Sequence, residues 1–258
     1  MSDNKKEFYT PQPGSIPQQG SEKLLHIIFI VDVSGCMRGE GRIEAVNDAF
    51  TQMIPMLQQI QMDYMSEFEI KFSLMTFDQD ARWVVMPTPI MEYNHQYIYC
   101  SNWIANYSNA FKFLGEKLSR KEFMAHTGKI AAPIIMLFTA RGPGYGDPYD
   151  AELDKLLDNG WFTHSLRYAI FIGPDALYST RAKDLFSRFV NYPDEGIFNA
   201  VDSNEICLAF KELFRCFHPI TIGPGTRIQG SEEDNQYEPE DYNSDDNDWE
   251  DISDGDFI

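Results

Sequence analysis

The sequence predicts an α/β protein with a doubly wound, mostly parallel sheet, one antiparallel edge strand and helices on both faces. Short apolar runs of strand length alternate with amphipathic helical stripes, the pattern of βαβ proteins. The run from Leu24 to Val33 is apolar at nearly every position, which is typical of a central strand covered on both faces. The alternating segments 68–77 and 81–86 are separated by one short turn, which indicates an antiparallel hairpin at the sheet edge.

The first helix is expected over residues 41–62, directly after the first strand. Its apolar residues recur at helical spacing and form one stripe that can be buried: Ile43, Val46, Phe50, Met53, Leu57 and Ile60. Pro55 lies inside this helix. Because the stripe continues past the proline, we expect a bend there and not a break.

The later elements follow the same alternation. Pro87 and Pro89 are expected to end the second hairpin strand. Three further strands are predicted at 132–139, 168–172 and near 196–201, and four further helices from about Asn106, over 149–159, over 176–190 and over 203–217.

The charge of the chain is concentrated at one end. The net charge is −19, and the segment from Ser231 to Ile258 holds 13 acidic residues and no Lys or Arg, which leaves −6 for the other 230 residues. Such a segment has too little apolar surface to offset chain entropy. The sequence therefore predicts a flexible leader over 1–21, one domain over 22–220 and an acidic, disordered tail over 221–258.

Several classes of protein are not favoured by this composition. No basic surface for nucleic acid is apparent, no apolar run approaches the ~20 residues that span a bilayer, and the N-terminus lacks a signal-peptide apolar region. The four cysteines form no CxxC pair, which favours reduced thiols in a cytoplasmic protein. No direct nucleic-acid or membrane partner is expected.

The segment Asp32-Val-Ser34-Gly-Cys36 resembles the first loop of von Willebrand factor A (vWA) domains. The resemblance extends over roughly residues 24 to 217. Over this range the chain resembles bacterial vWA proteins of the tellurite-resistance type. The segments that carry it are Ile54–Leu57, Leu74–Phe77 with Ala81–Trp83, Leu114–Lys121, Pro133–Thr139 and Ala169–Ala176. It implies the vWA fold and a place for a metal-ion-dependent adhesion site (MIDAS).

In the family, Mg²⁺ is held by an Asp-x-Ser-x-Ser loop, a threonine and a later aspartate. Asp32 and Ser34 match the first two positions, but Cys36 replaces the second serine, and a thiol is a poor magnesium ligand. Ala105 falls at the threonine position, and Ala140-Arg141 follows Thr139 where the family has Asp-Gly. The resemblance thus implies a degenerate site, and no cofactor is expected.

Two alternatives for these residues remain open. A rebuilt magnesium site would draw on a carboxylate from Asp78 or Asp147, with neutral oxygens supplied by Ser101, Asn102 or Asn106. In a purely structural alternative, Asp32 accepts backbone N–H bonds from its loop and Ser34 caps the next helix. An enzyme is not expected, because Cys36 stands in no motif with a histidine.

The function predicted from these observations is non-catalytic protein binding, as an adaptor or regulator. The contact residues are expected on the loops, at Cys36, Asp78, Asn102, Ala105, Ala140, Arg141 and Asp147, and in the tail, at Tyr237, Tyr242, Trp249, Phe257 and Ile258. The resemblance implies a bacterial stress-response or defence system with kinase-like or phosphatase-like partners. A Mg-dependent ligand binder, and an inhibitor or antitoxin-like regulator whose tail occupies a basic surface of its partner, are the alternatives.

Overall fold

The computed structural model describes residues 23–64, 67–173 and 180–215. These residues form one six-stranded sheet with helices on both faces. The predicted leader and acidic tail lie outside the described residues, as do the outer limits of the predicted domain.

The sheet has the strand order β3-β2-β1-β4-β5-β6, and only β3 runs antiparallel to its neighbour. This confirms the predicted fold class, a doubly wound parallel sheet with one antiparallel edge. The strands are β1 Lys23–Asp32, β2 Phe68–Phe77, β3 Ala81–Pro89, β4 Ile134–Thr139, β5 Leu166–Ile172 and β6 Ile197–Ala200.

Seven α-helices lie within the described part of the chain. They are α1 Arg42–Asp63, α2 Tyr107–Lys117, α3 Tyr149–Leu157, α4 Gly160–Thr163, α5 Thr180–Phe189, α6 Pro193–Gly196 and α7 Ser203–Arg215. The helices α1 and α7 cover one face of the sheet, and α2, α3 and α5 cover the other. No helix in the described ranges is long and apolar enough to cross a membrane.

The central strand β1 supplies both cores. Nine of its ten residues are buried, and alternate side chains point to opposite faces. Phe29 contacts Phe50 of α1 and Phe210 of α7, whereas Ile28 and Ile30 belong to the core on the opposite face. The sheet is thus fixed from both sides, which holds the ends of β1 and β4 in place.

Two sequence predictions concern prolines, one at the end of β3 and one inside α1. The strand β3 runs through Pro87 and ends at Pro89, which pairs with Lys71. The prediction that proline ends this strand is therefore confirmed for Pro89 and wrong for Pro87. Proline is tolerated because β3 is an edge strand, where a missing N–H need not break a ladder. The helix α1 is continuous through Pro55, as predicted; the predicted bend stays a prediction.

The short helices α4 and α6 were not expected.

Candidate functional site at the carboxyl edge of the sheet

The candidate site lies where β1 and β4 end side by side. These strands pair in parallel, and the chain leaves β1 for α1 on one face and β4 for α3 on the other. Such a switch point leaves a crevice outside the carboxyl ends of the strands. The last residues of the two strands, Asp32 and Thr139, are both fully buried there.

Asp32 is held by three donors from the loops around it. Its Oδ1 accepts the backbone N–H of Ser34 at 2.8 Å, and its Oδ2 accepts the Thr139 hydroxyl at 2.8 Å and the Cys36 thiol at 3.5 Å. Burial raises the pKa of Asp32, and the hydrogen bonds from Ser34, Thr139 and Cys36 oppose that rise. Both carboxylate oxygens are thereby engaged within the protein.

A tyrosine from α2 completes this network. The hydroxyl of Tyr107 lies 2.8 Å from Thr139 Oγ1 and donates to the Arg141 carbonyl. The Arg141 N–H donates to Thr139 Oγ1 at 3.2 Å. Because a hydroxyl has one proton, the consistent assignment is that Thr139 donates to Asp32 and Tyr107 donates to Arg141. Each hydroxyl in this buried cluster then has a partner.

Cys36 sits on a 3₁₀ turn, Gly35–Met37, directly above this cluster. Its thiol lies 3.0 Å from the Ser34 hydroxyl and donates to Asp32. Burial, and then the charge of Asp32, raises the pKa of Cys36 to about 12. A thiol with that pKa is protonated at neutral pH, and the protonated form is a poor nucleophile.

Ser34 has a different role from the one expected. Its side chain makes no capping hydrogen bond to the following turn, so the predicted cap by Ser34 is wrong. Its backbone N–H, by contrast, donates to Asp32, in agreement with the structural alternative. The Ser34 hydroxyl instead contacts the thiol of Cys36.

The connection between β3 and α2 passes over this edge and is bonded to it. Ser101 donates its N–H to the Val33 carbonyl at 2.7 Å, and Gly35 donates to the Trp103 carbonyl at 2.9 Å. Ser101 Oγ in turn accepts the N–H of Trp103. These contacts fix the loop across the mouth of the crevice and turn Trp103 outward.

The start of α2 is fixed by two side chains. Asn106 accepts the N–H of Asn109 as an N-cap. Asp147 accepts the N–H groups of Tyr107 at 2.7 Å and Ser108 at 3.2 Å. Burial raises the pKa of Asp147, and those two backbone donors oppose the rise. An anion at a helix N-terminus stabilises the helix, and this contact places the Tyr107 hydroxyl over Thr139.

The other predicted loop residues surround this cluster. Asp78 is buried, and its Oδ1 accepts the N–H of Asp80 at 3.0 Å. Asn102 is exposed above Gly35, Ala105 is half-buried beside the α2 cap, and Ala140 is buried. The structure therefore brings the predicted loop residues to one edge. The side chains of Asp32, Ser34 and Cys36 contact one another directly, and the backbone of Arg141 joins them through Thr139.

The donor set does not fit a family-type magnesium ion. Mg²⁺ requires near-octahedral oxygen coordination, whereas this cluster offers one carboxylate already engaged by three donors and a thiol. The candidates for a rebuilt site are also engaged: Asp78, Ser101, Asn106 and Asp147 all accept backbone N–H bonds. Across the described ranges, no group of three His, Cys, Asp or Glu side chains is arranged to hold a metal.

The surface above the crevice is apolar and positively charged. Trp103 is 61% exposed and Ile104 is 77% exposed, and Tyr145 is fully exposed. Arg38 and Arg141 are exposed beside them. We call these five residues (Arg38, Trp103, Ile104, Arg141 and Tyr145) the edge surface.

Sequence reasoning missed Tyr107 and gave Thr139 no role. Thr139 lies at a recognisable strand end, but its partner Tyr107 is 32 residues away. The available signal was a tyrosine directly after an Asn N-cap, which places a long polar side chain at the start of a helix. The resemblance directed attention to Ala105, two residues earlier, where a threonine was sought.

Comparison with solved structures shows a likeness of fold. The von Willebrand factor type A protein from Catenulispora acidiphila is 14% identical with a TM-score of 0.52, over 75% of this chain and 42% of that one. Proximal thread matrix protein 1 from the mussel byssus is 14% identical with a TM-score of 0.52, over 75% and 48%. The pilus adhesin SpaC from Lactobacillus rhamnosus GG is 13% identical with a TM-score of 0.55, over 75% and 30%.

These likenesses establish the vWA fold. The chain spans less than half the length of each of these three structures. No protein-family model matches the sequence, and no curated protein matches it.

Proposed function

We propose that this protein is a non-catalytic, metal-independent protein-binding module that uses the carboxyl edge of a vWA fold. The observation that carries the proposal is the closed network around Asp32. Its carboxylate is fully buried and accepts bonds from Ser34, Thr139 and Cys36. A family-type ion would need that carboxylate and its neighbouring hydroxyls as free ligands.

Entry of Mg²⁺ would have to break several of these bonds. Thr139 would lose its bond to Asp32, and Tyr107 sits against Thr139 from the other side. A nearby protonated thiol at Cys36 offers no hard oxygen ligand in return. Arg141 adds a positive charge close enough to Cys36 to oppose part of the rise in its pKa, and that charge would repel a dication. These costs support the degenerate-site hypothesis over a rebuilt site.

The edge surface supports protein binding in place of metal-mediated adhesion. Exposed tryptophan, isoleucine and tyrosine side chains lie together at the loops where function concentrates in such folds. Aromatic residues and arginine are the residue types that carry most binding energy at interfaces. The loop that carries Trp103 is hydrogen-bonded to the end of β1 through Ser101 and Gly35, which lowers the entropic cost of association.

The solved neighbours offer an analogy at the level of fold. One is described as a pilus adhesin and another as a thread matrix protein, and a further structure of that matrix protein has a zinc-occupied MIDAS motif. We infer that this chain keeps the position of the binding edge and has replaced the metal with hydrogen bonds. The setting that we propose is the bacterial cytoplasm, in a stress-response or defence system with a kinase-like or phosphatase-like partner.

The experiment is affinity capture by the full chain from native lysate, with and without EDTA. Two variants are compared: Trp103→Ala/Ile104→Ser at the edge surface, and Leu208→Ser, which removes another exposed apolar side chain, on α7. The proposal expects a partner that is retained in EDTA and with Leu208→Ser but lost with the edge variant. Loss in EDTA would favour the Mg-dependent alternative, and retention by the edge variant would place binding elsewhere.

A further inference from the structure

We propose that the acidic segment 231–258 of this chain docks intramolecularly on the edge surface and competes there with an external partner. This inference rests on the proposed function, because it uses the same surface. It names the occupant of that surface when no partner is bound.

The edge surface carries positive charge that the described residues do not neutralise. No ion pair within the described ranges involves Arg38 or Arg141. The Arg38 guanidinium donates to the Ser101 carbonyl at 3.4 Å. Arg42, by contrast, pairs with Glu40 at 2.7 Å. The segment from Ser231 to Ile258 holds 13 acidic residues and no basic ones. Opposite charges of this kind steer association.

The acidic carboxylates near the edge do not cancel this attraction. Asp32 and Asp78 are buried, and Asp147 is engaged with the N-terminus of α2. Glu40 is exposed but pairs with Arg42. Glu44 is also exposed, and its charge acts on Cys100 together with that of Arg38, so it offsets part of the attraction at Arg38. Arg38 and Arg141 still lack an ion pair within the described ranges, and they are the positive charges that an approaching acidic segment meets.

The acidic segment also carries apolar side chains at intervals: Tyr237, Tyr242, Trp249, Ile252, Phe257 and Ile258. Simple solvation does not require aromatic residues. The edge surface offers Trp103, Ile104 and Tyr145 as a matching apolar patch, with Ile104 packed beside Gly144. Aromatic pairs contribute beyond their area, so charge and apolar contact act together.

The chain is long enough for this contact. The helix α7 begins after β6 at the carboxyl edge and runs beside α1, where Cys207 contacts Ala49. Its 13 residues span roughly 20 Å. The fifteen residues 216–230 reach up to ~50 Å when extended. The acidic segment can therefore return to the edge from the end of α7.

Covalent linkage makes weak contacts sufficient. A segment tethered to its own binding surface has an effective concentration in the millimolar range. An external partner must displace it, so its apparent affinity falls by the fraction of molecules with an open edge. The acidic segment would in this way set a threshold for partner binding.

The test is photo-crosslinking in the full chain. One variant is Tyr145→p-benzoylphenylalanine, at the edge surface. The matched control is Tyr192→p-benzoylphenylalanine, which is also exposed but lies near Asn191, whose side chain bonds Arg167 at the start of β5. That is the opposite end of the sheet, toward which α7 runs, so acidic residues without a docking site on the edge surface would be expected to reach Tyr192 at least as often as Tyr145.

The expected result is a monomeric product that joins position 145 to residues 231–258. Its yield should exceed that from position 192 at least threefold, be independent of protein dilution, and fall about threefold to tenfold with Arg38→Gln/Arg141→Gln or in high salt. Equal yields from the two positions, or a product found only as a dimer, would overturn the inference. If crosslinking overturns the inference but Trp103→Ala/Ile104→Ser still abolishes partner capture, the proposed function stands and only the intramolecular docking is wrong.

Discussion

The hydroxyl of Tyr107 lies 2.8 Å from Thr139 Oγ1, at the carboxyl end of β4. Thr139 donates in turn to Asp32 at 2.8 Å. Tyr107, in the first turn of α2, thus lies against Thr139, which in turn bonds the Asp32 carboxylate at the end of β1. This edge is therefore held together by contacts between the protein's own side chains, and we propose that it does not require an ion.

Replacing Tyr107 with Phe should lower the free energy of unfolding by about 1–2 kcal/mol, because the Arg141 carbonyl then loses its buried donor. Urea denaturation of the full chain measures this. Tyr145→Phe is the control, since its side chain is fully exposed and it should change stability by under ~0.5 kcal/mol. If the two variants change the free energy of unfolding by the same amount, the Tyr107 hydroxyl does not stabilise the network.

Replacing Asp32 with Asn should leave stability at pH 7 unchanged or raise it. Burial raises the pKa of Asp32, so the charged form at pH 7 is destabilised in the folded protein, and the neutral amide avoids that cost. Thr139 can turn its proton to the Arg141 carbonyl, 2.9 Å away, and accept from the new amide.

Asp32→Ala is the control for this substitution. It removes the acceptor for the Ser34 N–H and should cost about 1–3 kcal/mol. If Asp32→Asn were as destabilising as Asp32→Ala, a charge-dependent role for Asp32 would have to replace the present account.

Arg167 is a second buried centre, remote from the edge. Its guanidinium donates to the Phe162, Thr163 and Phe189 carbonyls at the ends of α4 and α5, and burial lowers its pKa to about 10. Arg167→Met should cost about 2–4 kcal/mol, because these carbonyls lose their donors. Arg188→Met, which breaks surface ion pairs with Asp150 and Asp154, should cost under ~1 kcal/mol. A reversed order in thermal denaturation would contradict this assignment.

His26 should make the domain sensitive to acid. Burial, and then the charge of Lys71, lowers the pKa of His26 from 6.5 to about 3. The unfolded state therefore binds more protons than the folded state between these values, so stability is lost as the pH falls below about 6.5. The slope approaches ~1.4 kcal/mol per pH unit from this group.

His26→Gln is the comparison that isolates this effect, since glutamine retains a donor for Ser73, which now bonds His26 at 2.8 Å. Urea denaturation at pH 7, 6, 5 and 4 should give a shallower loss of stability for the variant. His164→Gln, at an exposed position, serves as the control and should follow the wild-type profile. Parallel profiles for all three proteins would exclude His26 as the sensor.

The fold was predictable because its signals are local. The apolar run Leu24–Val33 and the apolar stripe of α1 can each be recognised within one short segment of the sequence. Both β1 and α1 lie within about one residue of their predicted bounds. The closed network was not predictable. Tyr107 meets Thr139 only because α2 begins at Tyr107, and that start is fixed in part by Asp147, forty residues further along the chain.

The most direct test of metal independence is calorimetric titration of Mg²⁺ and Mn²⁺ into the full chain, run beside Asp32→Asn. The account predicts no saturable heat at millimolar ion in either protein and no change in melting temperature on adding EDTA, because the Asp32 oxygens are engaged by Ser34, Thr139 and Cys36. Saturable binding to the wild-type protein that disappears in Asp32→Asn would contradict it.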